Sequence, residues 1–191
     1  MAEMTQEQRG VVLDCLLGRS SEDAMRSAMG WTGGSLHPHL LVLLQDALSD
    51  EDAEAAELGI GLLNRFGASS EFLPVLQRLL RAPWHTRHED IVGLFEALGD
   101  PRVVSSLFDM ARSRFAYREW DDGRALERKC IFLIRKLGTP DAVARLIDLS
   151  RDADPFVVAE AVERLREVAE RSPAPELRAA AAAALEGRRG R

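Results

Sequence analysis

Apolar positions recur along this chain at intervals of three and four residues, the spacing that places them on one face of a helix. Ile91, Leu94, Phe95 and Leu98 make one such stripe, and Leu126, Cys130, Leu133 and Leu137 make another. Sustained alternation is missing, and no Asn-Gly or Asp-Gly turn joins two β-branched runs. The pattern therefore predicts an all-α protein with roughly eleven short helices, near residues 5–17, 20–29, 35–48, 51–66, 69–81, 86–98, 101–113, 122–137, 140–150, 155–171 and 174–186.

The boundaries carry their own chemistry. An oxygen side chain before the first turn accepts one of the backbone N–H groups that a helix start leaves unpaired. Thr5 to Gln8 and Thr86 to Glu89 have the spacing of a reciprocal capping box. Asp100-Pro101, Thr139-Pro140 and Asp154-Pro155 set a capping oxygen before a proline, whose missing N–H costs nothing at the first helical position. Gly67, Gly99 and Gly138 follow apolar stripes and suit the left-handed conformation that ends a helix.

Two segments restate each other. Leu98-Gly99-Asp100-Pro101-Arg102-Val103-Val104-Ser105-Ser106-Leu107 aligns with Leu137-Gly138-Thr139-Pro140-Asp141-Ala142-Val143-Ala144-Arg145-Leu146, and Phe66-Gly67-Ala68-Ser69 begins a looser copy. The three glycines lie 32 and 39 residues apart, the period of a two-helix repeat with one lengthened loop. One helix pair cannot cover its own apolar faces, so a stack of pairs is expected.

The pattern Leu-Gly-x-Pro-x-Ala-Val-x-x-Leu, followed by Asp152-x-Asp154-Pro155-x-Val157-Val158-x-x-Ala161-Val162-x-x-Leu165, resembles a HEAT repeat of the phycobilisome-lyase-like type across residues 35–186. The resemblance implies a right-handed α-solenoid of HEAT-like helix pairs in a single domain. N-terminal capping helices would occupy residues 1–34, repeats 35–171, a capping helix 172–186 and a frayed basic tail 187–191. Trp84-His85-Thr86-Arg87-His88-Glu89-Asp90-Ile91, with Gly99-Asp100-Pro101 and Lys129-Cys130, is similar to small bacterial HEAT-repeat proteins encoded beside polymorphic toxins and suspected to be immunity proteins. That implies a protein partner. The same repeat occurs in bilin lyases and in HEAT-like DNA glycosylases, which supply the alternative readings.

Charge and composition narrow these. A net charge of −6 over 191 residues gives no basic face for counterion release, so a nucleic-acid partner is not expected. The N-terminus lacks the basic start and apolar core of a signal peptide, and no apolar run is long enough to span a membrane. Cys15 and Cys130 sit within helical patterns, far apart, as buried thiols of a cytoplasmic protein would. No cofactor is called for, and no phosphate-cradling loop or nucleophile elbow suggests an enzyme.

Two segments are candidate partner contacts. The first is Trp84, His88, Glu89 and Asp90. His85 and His88 suggest zinc, but with Thr86 as the cap they do not share a helix face, and no metal site is expected there or at His37 and His39. The second is Phe115, Tyr117, Arg118, Trp120, Asp121 and Asp122, where aromatic and arginine side chains gather outside any helical stripe. Acids at helix starts, Glu51, Asp52 and Glu54, then Glu89 and Asp90, Asp121 and Asp122, and Asp152 and Asp154, predict an acidic edge that would draw a basic protein. Trp31 is expected to close the N-terminal end of the core.

Overall fold

The structure, a computed structural model, describes residues 4–118 and 124–189. Every regular element among the described residues is helical, as the apolar spacing requires. The chain divides into two compact units, Met1–Leu94 and Phe95–Arg191.

The first unit holds α1 (Gln6–Leu16), α2 (Glu22–Met29), α3 (His37–Asp50), α4 (Ala53–Phe66) and α5 (Leu73–Leu79), and α6 (His88–Leu98) begins in it. The Thr5 hydroxyl accepts the Gln8 N–H while the Gln8 side chain accepts the Thr5 N–H, completing the expected capping box. Helix α3 packs on α4 and α5, and α1 packs on α2 and α4. Leu40, Leu44, Ile60, Leu62, Leu63, Phe72 and Leu76 are fully buried, which places the core of this unit along α3, α4 and the approach to α5. Gly59 lets α3 come close: a Cβ there would lie 2.7 Å from Leu44 Cδ2.

The second unit contains α7 (Val104–Met110), α8 (Ala125–Leu137), α9 (Pro140–Leu149), α10 (Pro155–Arg171) and α11 (Pro175–Arg189). Helix α7 packs on α8 and α9, α8 on α9 and α10, and α9 on α10 and α11. The two matching segments have the same local build. Gly99 and Gly138 both adopt left-handed φ, 62° and 60°, and Asp100 and Thr139 both cap, accepting from the N–H groups of Arg102 and Ala142. Val103, Val104 and Leu107 are buried in one copy and Ala142, Val143 and Leu146 in the other. The first copy opens with a 3-10 turn at Pro101–Val103, whereas the second enters α9 directly. Gly67 also has positive φ but an extended ψ of 154°, so the looser copy leaves its helix differently.

Two expected boundaries change. Helix α11 runs through Arg189, so the start of the basic tail at 187–189 is helical rather than frayed, and the Arg188 guanidinium donates to the Ser150 carbonyl. Thr86 does not cap α6: the Arg87 carbonyl accepts the first helical bond, from Ile91, and Thr86 instead bonds Glu57 on α4 through its N–H and hydroxyl.

Candidate functional site

Of the first candidate segment, the histidines are structural. Helix α5 ends at Leu79, and its last carbonyls need donors. His85 Nε2–H donates to the Leu79 carbonyl at 2.8 Å, and His88 Nε2–H donates to the Ala82 carbonyl at 2.9 Å. His85 Nδ1 accepts the Arg87 N–H at 3.1 Å, which fixes the neutral tautomer. Burial lowers the His85 pKa below the usual value, against the raising effect of its bond to Leu79. His88 has no exposed surface, so it does not offer the partner contact expected of it. Its ring orders the α5–α6 turn instead.

Trp84 is half-buried and meets the His85 ring edge-on at 5.2 Å. Glu89 and Asp90 stand partly exposed in the first turn of α6, with Asp90 3.4 Å from Arg87. Asp90 and Arg87 also line a cleft of about 540 Å³ whose apolar part is Leu13 and Leu16 of α1 and Leu58 of α4. Among the described residues no group of three His, Cys, Asp or Glu is placed to hold a metal ion.

The second segment is part of an arginine–carboxylate lattice. Phe115 and Tyr117 are half-buried, with rings 5.8 Å apart, beside a 3-10 turn at Ala116–Arg118. Arg118 lies 3.7 Å from the buried Glu127 of α8, which also takes Arg114 and, at 3.3 Å, Arg124. Arg114 and Arg124 reach on to Asp154, and Arg112 pairs with Asp152 at 2.7 Å. Arg124 also covers the Phe156 ring at 4.2 Å, a cation–π contact. The hydrogen bond from Arg124, with help from the Phe156 N–H, holds the Asp154 carboxyl down to about 2. Trp120, Asp121 and Asp122 lie outside the described residues. The acidic edge expected at Asp152 and Asp154 is thus neutralised by arginines of neighbouring elements.

In the first unit the acids divide. Arg9, almost wholly buried on α1, forks onto Asp52 at 3.0 and 2.5 Å and reaches Glu54 at 3.0 Å. That bond holds the Asp52 carboxyl below its ordinary pKa, and Asp52 also caps α4 through the Ala55 N–H. Asp50 and Glu51 stand differently. They crowd the last turn and cap of α3, which contains no basic residue. The C-terminal end of a helix carries partial negative charge, so each acid there is unfavourable by about 0.3–1 kcal/mol. Glu51 adds left-handed strain, with φ 54°.

Asp46 and Asp50 line a cavity of about 420 Å³ with Met29, Trp31, Val42 and Leu43. Trp31 stands at the same cavity. It is half-buried, stacked on His39 with centroids 5.5 Å apart and planes 9° apart, and the His39 Nε2–H donates to the Thr32 carbonyl at 2.9 Å. This place is not legible along the chain because its residues come from four helices and the segments between them. The available signal was the run of acids ending an apolar helix with no base.

Cys15 and Cys130 are both buried, and burial pushes the Cys15 thiol pKa up, away from the reactive thiolate. No helix among the described residues is long and apolar enough to cross a membrane. Comparison with protein-family models, curated proteins and solved structures gives no match to this chain.

Proposed function

We propose that this chain is a non-catalytic protein-binding scaffold, built of HEAT-like helix pairs in a right-handed α-solenoid, that holds a basic protein. The observation that carries the reading is the acidic end of α3. Asp50 and Glu51 act against local stability, by helix dipole or backbone strain, beside an apolar cavity. Local conflicts of this kind are expected where a surface serves a partner. The solenoid is supported by the packing of α7 on α9, α8 on α10 and α9 on α11, each helix meeting its counterpart in the next pair. The non-catalytic reading is supported by the use of His85 and His88 to hold backbone carbonyls and by the burial of both thiols.

The more specific form is a cytoplasmic immunity protein that neutralises a basic toxin. It rests on the likeness of the Trp84 to Ile91 segment and on the acids of the first unit. Trp84, Glu89 and Asp90 would line the contact, and the Phe115–Arg118 turn with Trp120, Asp121 and Asp122 would form a second contact.

Co-expression with the product of the adjacent gene tests this. A stable complex whose affinity falls with rising salt is the expected result. A neighbouring toxin that neither binds the chain nor loses activity in its presence would end the immunity reading. Tyr117→Ala should weaken the complex without lowering the melting temperature. Loss of folding instead would assign that ring to the core.

A further inference from the structure

We infer that the groove between α10 and α11 binds an acidic amphipathic helix of another protein. The inference is independent of the acids of the first unit and concerns a surface of opposite charge in the second. Helix α10 packs against α8 and α9 together, so it fills the groove between those two helices. Helices α10 and α11 pack on each other and form the corresponding groove one step further on. Among the described residues that groove stays open, as two adjoining hollows of about 560 and 460 Å³ that share Val162, Arg166 and Arg188.

Helix α10 has a separate face for each side. Glu160 and Glu167, two turns apart, pair with Arg128 and Arg135 of α8, each at 3.0 Å. By the helical period, Val158, Val162 and Ala169 stand on the opposite side of α10. With Leu185 of α11 these half-buried side chains form the apolar floor of the open groove. A helix is the guest whose own apolar stripe fits such a floor.

The filled groove also shows the charge chemistry of this contact: the incoming helix brings carboxylates, and the helix already in place meets them with arginines. The open groove again presents arginines, Arg151 before α10, Arg166 on α10 and Arg188 on α11. Arg151 makes no ion pair among the described residues, and the Arg188 guanidinium donates to the Ser150 carbonyl and to no described carboxylate. Arg166 lies 3.1 Å from Glu163, but both side chains are more than half exposed, so the pair exchanges readily. Of the acids at the groove, Asp152 is held by Arg112, and Glu170 lines only the hollow away from Arg151. Carboxylates directed toward Arg151, Arg166 and Arg188 are therefore complementary, and a basic helix is repelled. Copies of a chain with net charge −6 repel each other, which favours a different protein over a second copy.

The probe is a capped helical peptide about two heptads long, made of leucine, alanine and glutamine, with two glutamates placed two turns apart as Glu160 and Glu167 are. Its controls carry glutamine or lysine at those two places. Titrated into the full chain, the glutamate peptide should give saturable NMR amide shifts from Val158 to Ala169 and at Leu185. Binding should be about tenfold weaker for the glutamine peptide and about threefold weaker for Arg151→Gln, and should fall with salt. Arg151→Glu together with Arg188→Glu should reverse the preference, toward the lysine peptide. Arg151→Gln keeps the test decisive if loss of the Arg188 bond to Ser150 frays α11. Equal binding of the three peptides, or no saturable shift up to about 10 mM peptide, the weak end of measurable affinity, would overturn the inference. So would a chain that sediments as a dimer dissociated by Arg151→Glu, because the groove would then belong to a second copy.

Discussion

The imidazole rings of His85 and His88 stack with centroids 4.4 Å apart and planes 14° apart, His85 giving its Nε2–H to the last carbonyl of α5, at Leu79, and His88 to the Ala82 carbonyl in the turn that follows. Two residues that look like a metal pair in the sequence are thereby a C-terminal cap. The His85 ring is neutral in the fold, because its Nδ1 must accept from Arg87 and burial disfavours its charged form. Protonation is easier in the unfolded chain, so the stability contributed is complete above the unfolded value of about 6.5 and declines as pH falls toward the lower folded value. Urea unfolding across pH 8 to 5 should show this decline. His85→Gln, which keeps a donor and does not titrate, should flatten it.

Arg9 and Asp52 should respond unequally to removal. Asp52→Asn takes the forked carboxylate from a buried guanidinium that also reaches Glu54, itself 58% exposed, and the Met4 carbonyl, and is expected to cost about 3 kcal/mol. Glu54→Gln removes the exposed partner only and should cost under about 1 kcal/mol. Denaturant midpoints at constant slope would measure both. Equal effects would mean that Asp52 acts as a helix cap alone.

Asp154 predicts the acid limb of stability. Its folded pKa is depressed to about 2 by the Arg124 bond, so its contribution is present above the unfolded value of about 3.9 and is lost as pH falls through the folded one. Thermal melts should drop between about pH 4 and pH 2. Asp154→Asn should shrink that drop while retaining an oxygen to cap α10.

Glu51 holds left-handed φ at the end of α3, a position that favours glycine or asparagine. Glu51→Asn should raise stability by about 0.5–1 kcal/mol, relieving strain and removing an acid from the negative end of the dipole. If the acids of this turn serve a basic partner, the same variant should bind it more weakly. A variant that gains stability and loses no binding would place Glu51 outside the contact.

The sequence determined the helices. Apolar spacing, capping oxygens, prolines at first positions and glycines at ends are local signals, and they placed elements such as α1, α4, α8 and α10 to within a few residues of where they lie. It also revealed the Gly99 and Gly138 copies, because two-helix units repeat their own cap chemistry. Only the tertiary structure decided what the polar side chains do. Thr86 looks like a cap within its segment, yet Glu57 from another helix captures it. His88 looks available and is buried, because its partner carbonyl belongs to the turn after α5. Asp152 and Asp154 read as free charge until Arg112, Arg114 and Arg124 reach them from elsewhere in the chain. The cavity at Trp31, Asp46 and Asp50 does not exist along the chain at all. Backbone hydrogen bonding within a helix is satisfied by near neighbours, so it is legible locally. Charges and buried polar groups are satisfied by whatever the fold brings within reach, and their roles follow from packing.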